Sequence, residues 1–258
     1  MHNLKEILKQ LESGQISIEE ATRAINLFEL EYIDKEVRMD LGRLVRKGIP
    51  EVVFVEKKSP EMVLKIATSM MESQQAILLS RVLDKHLTLL KTSLTKKYDL
   101  IISTENEPYT VTIKQKHYTF RDSSSQIGIL TAGSSDIPIA EEAAAIARLM
   151  GVEVYSFYDV GVAGVHRLFD PLKTLIKKDV KCIVVVAGME GALPTIVSGL
   201  VNVPIIGVPT SIGYGYGGGG TAALMTMLQS CSPGLVVVNI DNGINAGATA
   251  ALIAKQSN

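Results

Sequence analysis

Apolar and polar positions follow two rhythms along this chain. In the first part apolar residues recur at helical spacing. Leu4, Ile7, Leu8 and Leu11 fall on one face, and Ser13-Gly14 closes that helix. Ser17-Ile18-Glu19-Glu20 has the hydroxyl-to-carboxylate spacing of a capping box and predicts a second helix. Residues 34–47 read as a third helix, stopped by Gly48 and Pro50, and residues 51–55 as a strand. Ser59-Pro60 opens a further helix, with proline at its first position. Residues 76–79 and 99–102 read as short strands. Residues 109–113 and 117–120 read as a hairpin around Lys114-Gln115-Lys116.

From residue 126 onward the rhythm becomes regular. Apolar runs at 126–131, 152–157, 182–187, 204–208 and 235–240 read as strands. Helical stretches at 138–150, 171–177, 193–200, 221–229 and 246–255 separate or follow them. Such alternation builds a parallel sheet with right-handed crossovers. The expected fold class is α/β: a three-layer domain over 126–258 with a parallel sheet of about five strands, preceded by a smaller helical or α+β domain over 1–120. The polar stretch 121–125 is the expected boundary.

Composition supports this picture. The 258 residues are 47% hydrophobic with 5 Phe and no Trp, so Val, Ile, Leu and Ala must fill the core, as buried parallel strands require. The net charge is -1 and no run carries one sign, which speaks against a nucleic-acid or membrane surface. The opening Met-His-Asn-Leu-Lys-Glu is not an apolar leader, and a soluble cytoplasmic protein is expected. The two cysteines, Cys182 and Cys231, fit no zinc or redox spacing.

Ligands of parallel sheets bind beyond the carboxyl ends of the strands. After the first strand of the second part comes Thr131-Ala132-Gly133-Ser134-Ser135-Asp136, either an anion site at a helix start or ordinary capping. After the second come Asp159, Gly161, Gly164 and His166-Arg167, a pair able to hold phosphate or carboxylate. After the third, Gly188-Met189-Glu190-Gly191 offers either a general base or a carboxylate placed for the helix dipole. After the fourth, Ser211-Ile212-Gly213-Tyr214-Gly215 runs into more glycine, six in residues 213–220, which suits a loop over a flat or phosphate-bearing ligand. No Lys-Ser or Lys-Thr follows, so this is not a P-loop. After the fifth come Asn239, Asp241 and Asn242-Gly243. No tight metal cage is spaced out in the sequence, and a loosely held magnesium ion on Asp136, Asp159 or Asp241 stays open. Cys231, between the fourth helix and the last strand, is either an inert thiol or a nucleophile.

At these segments the chain closely resembles the LarB family of pyridinium-3,5-biscarboxylic acid mononucleotide synthases. The matching stretches are residues 132–136, 161–167, 187–194 and 207–215, then Ser230-Cys231-Ser232-Pro233-Gly234 and residues 238–243. Residues 46–60 match more weakly. The chain departs at Val55-Glu56-Lys57-Lys58, where a glycine is usual, and at Gln229 and Ile244-Asn245, where Asn and Phe-Gly are usual.

The resemblance implies a fold similar to PurE-type aminoimidazole ribonucleotide (AIR) carboxylases, and a homo-octamer with sites between subunits. It implies carboxylation of nicotinic acid adenine dinucleotide by carbon dioxide, or bicarbonate as its source, and release of AMP. No tightly bound organic cofactor is implied. The product is the first intermediate of the nickel-pincer cofactor of lactate racemase. Cys231 is then the expected nucleophile and Glu190 the expected proton acceptor. Ser134, Ser135, Asp136, Asp159, His166, Arg167, Gly188, Met189, Ser211, Tyr214, Gly215, Asn239 and Asp241 are expected around the substrate, with magnesium near Asp136 or Asp241. The rival readings are an AIR carboxylase or mutase and a non-catalytic nucleotide sensor.

Overall fold

The computed structural model describes residues 4–26, 30–33, 37–40, 42–120 and 124–257. Helices α1 (Leu4–Glu12) and α2 (Ile18–Asn26) open the chain. The predicted capping box is formed in full: the Ser17 hydroxyl accepts from the Glu20 N–H, and the Glu20 carboxylate accepts from the Ser17 N–H.

The helix predicted over 34–47 is corrected. Within it, β2 (Val37–Asp40) is a strand paired antiparallel with β1 (Leu30–Ile33), which precedes it, and among the described residues only α3 (Arg43–Lys47) is helical; residues 34–36 and 41 lie outside the described residues. Leu30, Tyr32, Ile33 and Val37 are residues that suit a strand, and cross-strand pairing outweighs the local helical signal. Gly48, at φ 66°, closes α3 as expected.

The first sheet is built from β3 (Val52–Phe54), α4 (Pro60–Ser73), β4 (Ala76–Val82), α5 (Asp84–Leu94), β5 (Tyr98–Ile102) and β6 (Tyr109–Gln115), in strand order β3-β4-β6-β5. The Ser59 hydroxyl caps α4 by accepting from the Met62 N–H. The hairpin predicted around Lys114-Gln115-Lys116 is also corrected. Lys114 and Gln115 end β6, whose hairpin partner is β5, Lys116 lies in the turn beyond it, and 117–120 form no strand. The helix α5 had no counterpart in the sequence reading.

The second sheet comprises β7 (Gln126–Thr131), β8 (Glu153–Phe157), β9 (Ile183–Ala187), β10 (Ile205–Pro209) and β11 (Leu235–Val237). Its order is β11-β10-β9-β7-β8, and every pairing is parallel. Helices α6 (Ile137–Leu149), α7 (Phe169–Lys177), α8 (Leu193–Ser198), α9 (Thr221–Leu228) and α10 (Gly243–Gln256) cover it. Alternation along β9 assigns the faces. Val184 and Val186 join α6 and α10, whereas Ile183, Val185 and Ala187 join α7, α8 and α9. This is the expected three-layer α/β arrangement.

The α6–α10 layer is shared. Leu78 of β4 packs into the same core as α6 and α10, while Ile77 and Leu79 face α4 and α5. The small side chains of α6 (Ala140, Ala143, Ala144 and Ala147, all buried) let it sit between the two sheets. No helix among the described residues is long and apolar enough to cross a membrane.

Candidate functional site

The carboxyl ends of β7, β8, β9 and β10 surround a pocket of about 570 Å³. Ser135, Asp136, Asp159, Arg167, Gly188, Met189, Glu190 and Tyr214 all line it. These expected residues are therefore brought together from four strand ends. The parallel topology is the cause, since each strand delivers its following loop to the same edge.

Asp136 is the fixed point. It is buried at the head of α6. One carboxylate oxygen accepts from the Gly133 N–H at 2.9 Å and the other from the Thr210 hydroxyl at 2.8 Å. Burial pushes its carboxyl above the ordinary range, against the pull of the Thr210, Gly133 and Gly188 hydrogen bonds. Asp159 is paired with Arg167 at 2.7 Å, and its N–H donates to the Thr131 hydroxyl at 3.0 Å. Glu190 and Tyr214 are exposed at the rim.

Three residues beyond strand ends hold left-handed backbone without being glycine: Asp159 (φ 57°), Met189 (φ 51°) and Asp241 (φ 56°). Strain of this kind collects at functional loops. Gly188 is required by close approach, because a Cβ there would stand 2.2 Å from the Ile212 carbonyl oxygen.

Other expected residues lie apart from this pocket. Ser134 faces away from it and lines a neighbouring cavity. His166 is exposed on a 3-10 stretch, Val162–Leu168, and does not line the pocket. Ser211 and Asp241 contact each other outside it, with the Ser211 N–H donating to the Asp241 carboxylate at 2.8 Å. Gly215 lies beyond Tyr214 with open space at its α-carbon. The Asn239 side chain accepts from the Ile240 N–H at 2.9 Å.

Cys231 is exposed and precedes β11, which puts it at the amino edge of the sheet, opposite the pocket. Its turn is fastened by Thr195 donating to Ser230 and by Ser198 bonded to Ser232, each at 2.9 Å. Cys182 is buried, and burial pushes its thiol up to about 12, so it is inert.

Among the described residues, no three His, Cys, Asp or Glu side chains converge. Both Asp136 oxygens already accept from protein donors, and Asp159 is paired with arginine.

Sequence reasoning missed the supports behind this site. Thr131, the last residue of β7, holds Asp159, and Thr210, the residue just after β10, holds Asp136; hydroxyls at the strand ends were the available signal. Arg81 and Glu142 gave none. Arg81, on a bulge of β4 with φ 57°, donates to the Asp241 carbonyl at 3.1 Å and approaches Glu142 to 3.7 Å. Glu142 is buried, accepts from the Ser80 hydroxyl and has its other oxygen unpartnered. Burial pushes its carboxyl up to about 7, against the pull of Ser80 and Arg81.

Comparison with known proteins places the chain. Residues 126–258 match the AIR carboxylase family, and residues 31–113 match the LarB/PurE-like N-terminal domain. An uncharacterized protein of Methanocaldococcus jannaschii is 44% identical over 255 residues, 98% of this chain and 97% of its own length. A probable N5-carboxyaminoimidazole ribonucleotide mutase of Methanothermobacter thermautotrophicus is 32% identical over 133 residues, 50% of this chain and 37% of its own. The N5-carboxyaminoimidazole ribonucleotide mutase of Thermotoga maritima is 29% identical over 135 residues, 50% of this chain and 74% of its own. With both domains present in this order, the chain belongs to the LarB-type family of PurE-like carboxylase and mutase enzymes.

Proposed function

We propose that this protein carboxylates the pyridinium ring of nicotinic acid adenine dinucleotide and cleaves its phosphoanhydride. The products are pyridinium-3,5-biscarboxylic acid mononucleotide and AMP, and the reaction opens nickel-pincer cofactor synthesis for lactate racemase. The observation that carries this reading is the union of a LarB/PurE-like N-terminal domain with an AIR carboxylase domain in one chain. The mutase relatives are named for a carboxylated ribonucleotide, which puts carboxyl and nucleotide chemistry within reach of this scaffold.

The pyridinium ring is electron-poor and cannot attack carbon dioxide unaided. The Cys231 thiolate adds to a ring carbon, forming a C–S bond and leaving an enamine-like dihydropyridine. The adjacent carbon, symmetric to the existing carboxylate, attacks carbon dioxide and forms the new C–C bond. Glu190 takes the ring proton, the C–S bond breaks, and aromaticity returns as thiolate leaves. Water then cleaves one phosphoanhydride P–O bond. Ser135, Asp136, Arg167 and Tyr214 orient the substrate, and Gly188 and Met189 shape the floor. Magnesium, where it takes part, would be bound by the substrate phosphates.

Cys231 and Glu190 occupy opposite edges of one sheet, so the mechanism takes them from different copies of the chain. An octamer would supply that meeting. Met225, Leu228 and Val236, exposed by 65%, 66% and 53%, present an apolar surface near Cys231 that a second copy would cover.

The alternative is an AIR carboxylase or mutase, favoured by the mutase relatives; in it, as in a nucleotide sensor, Cys231 would be idle. Assays with each substrate decide. Purified protein given the dinucleotide, bicarbonate and magnesium should release AMP, and Cys231→Ala should slow release by roughly a thousandfold or more while retaining dinucleotide binding. Turnover of an aminoimidazole ribonucleotide, unchanged in Cys231→Ala, would replace this reading with the alternative.

A further inference from the structure

The turn Gly133–Asp136 has a cavity on each side. Neighbouring residues alternate between them: Ser135 and Asp159 line the pocket described above, whereas Ser134 and Tyr158 line a second cavity of about 580 Å³. The far wall of this second cavity is the loop between β5 and β6, which carries Glu105, Asn106 and Glu107. That loop falls within residues 31–113, the part matching the LarB/PurE-like N-terminal domain, and outside the AIR carboxylase match.

We propose that the second cavity is the subsite for the adenosine half of a dinucleotide, whose pyrophosphate crosses the Ser134–Ser135 turn. The proposal rests on the dinucleotide reading given above and deepens it. The chemistry of the walls suits a neutral nucleoside. Tyr158 is 38% exposed and offers an aromatic face for a flat base. Its hydroxyl donates to buried Glu141, which also lies 3.6 Å from Arg148, so the ring is held in place. Glu107 is held by the Asp84 N–H at 2.9 Å and fixes the loop. Glu105 and Asn106 beside it are exposed and positioned to accept from a ribose diol. The same carboxylates repel a phosphate, which leaves the pyrophosphate at the turn, over the head of α6. The N-terminal region thereby supplies what a mononucleotide enzyme does not need.

The test is calorimetry on the full-length protein with AMP and nicotinate mononucleotide as separate probes. Glu105→Ala/Asn106→Ala changes only exposed side chains. AMP should bind the wild type and lose about tenfold or more in affinity in this variant, while nicotinate mononucleotide affinity changes by less than about twofold. The mononucleotide should not displace AMP. Absence of AMP binding, equal AMP binding by both proteins, or displacement by the mononucleotide would each overturn the subsite. Dinucleotide turnover separates the two readings. A protein that turns over the dinucleotide with a KM unaffected by the double variant keeps the reaction and loses the subsite. A protein that binds AMP through this loop but does not turn over the dinucleotide keeps the subsite and loses the reaction.

Discussion

Glu142 shows how much a single residue can carry without any local sequence signal. It is buried between the two sheets, half satisfied by Ser80, with its carboxyl pushed up to about 7. The folded state therefore holds the proton more tightly than the unfolded chain. The stability this contributes is full below the ordinary carboxylate range near 4.5 and is lost as pH rises through about 7. The loss is on the order of 3 kcal/mol. Glu142→Gln should flatten the fall in Tm between pH 5 and 8 and be the more stable protein at pH 8; an unchanged pH slope would contradict it. Asp136 differs, because both its oxygens have donors. Thr210→Val removes one and should cost about 1–3 kcal/mol, read from denaturant midpoints, with weakened dinucleotide binding. A full-strength binding site in that variant would remove Asp136 from its proposed role.

At the scale of elements, the α6–α10 contact is what the rest leans on. A Cβ at Gly247 would stand 2.2 Å from the Ala143 carbonyl oxygen, so the two backbones meet with no side chain between them. Gly247→Leu should therefore destabilise by about 1–3 kcal/mol or more through forced separation; an unchanged midpoint in urea would show the contact to be looser. Elements with strong local codes were legible in advance. The Ser17–Glu20 box, the Ser59-Pro60 helix start and the five apolar runs of the second sheet each carry their own signal. Where tertiary pairing decides, the sequence misled. Strand β2 looked helical, β6 was split at Lys114, and α5 went unseen because its apolar face, Leu87, Leu90 and Leu94, is framed by no distinctive cap.

At the scale of the molecule, the site was legible as a set of loops but not as a geometry. Strand-end reasoning brought Ser135, Asp136, Asp159, Arg167, Gly188, Met189, Glu190 and Tyr214 to one pocket. It could not show that Cys231, between a helix and the strand that follows, faces the other edge. Nor could it show that Arg81, 160 positions earlier, holds the Asp241 loop. The two-copy mechanism has its own consequence. Cys231→Ala and Glu190→Gln chains, each inactive alone, should regain activity when co-expressed, because some pairs then carry both intact groups. Persistent inactivity of well-formed mixed oligomers would mean that one chain must supply both.

The decisive measurement is mass spectrometry of a reaction containing the purified protein, nicotinic acid adenine dinucleotide, carbon-13 bicarbonate and magnesium. The expected result is a mononucleotide heavier than nicotinate mononucleotide by one labelled carboxyl group, appearing together with AMP and absent with Cys231→Ala. An unchanged dinucleotide, or AMP released without incorporation of label, would contradict the proposed carboxylation.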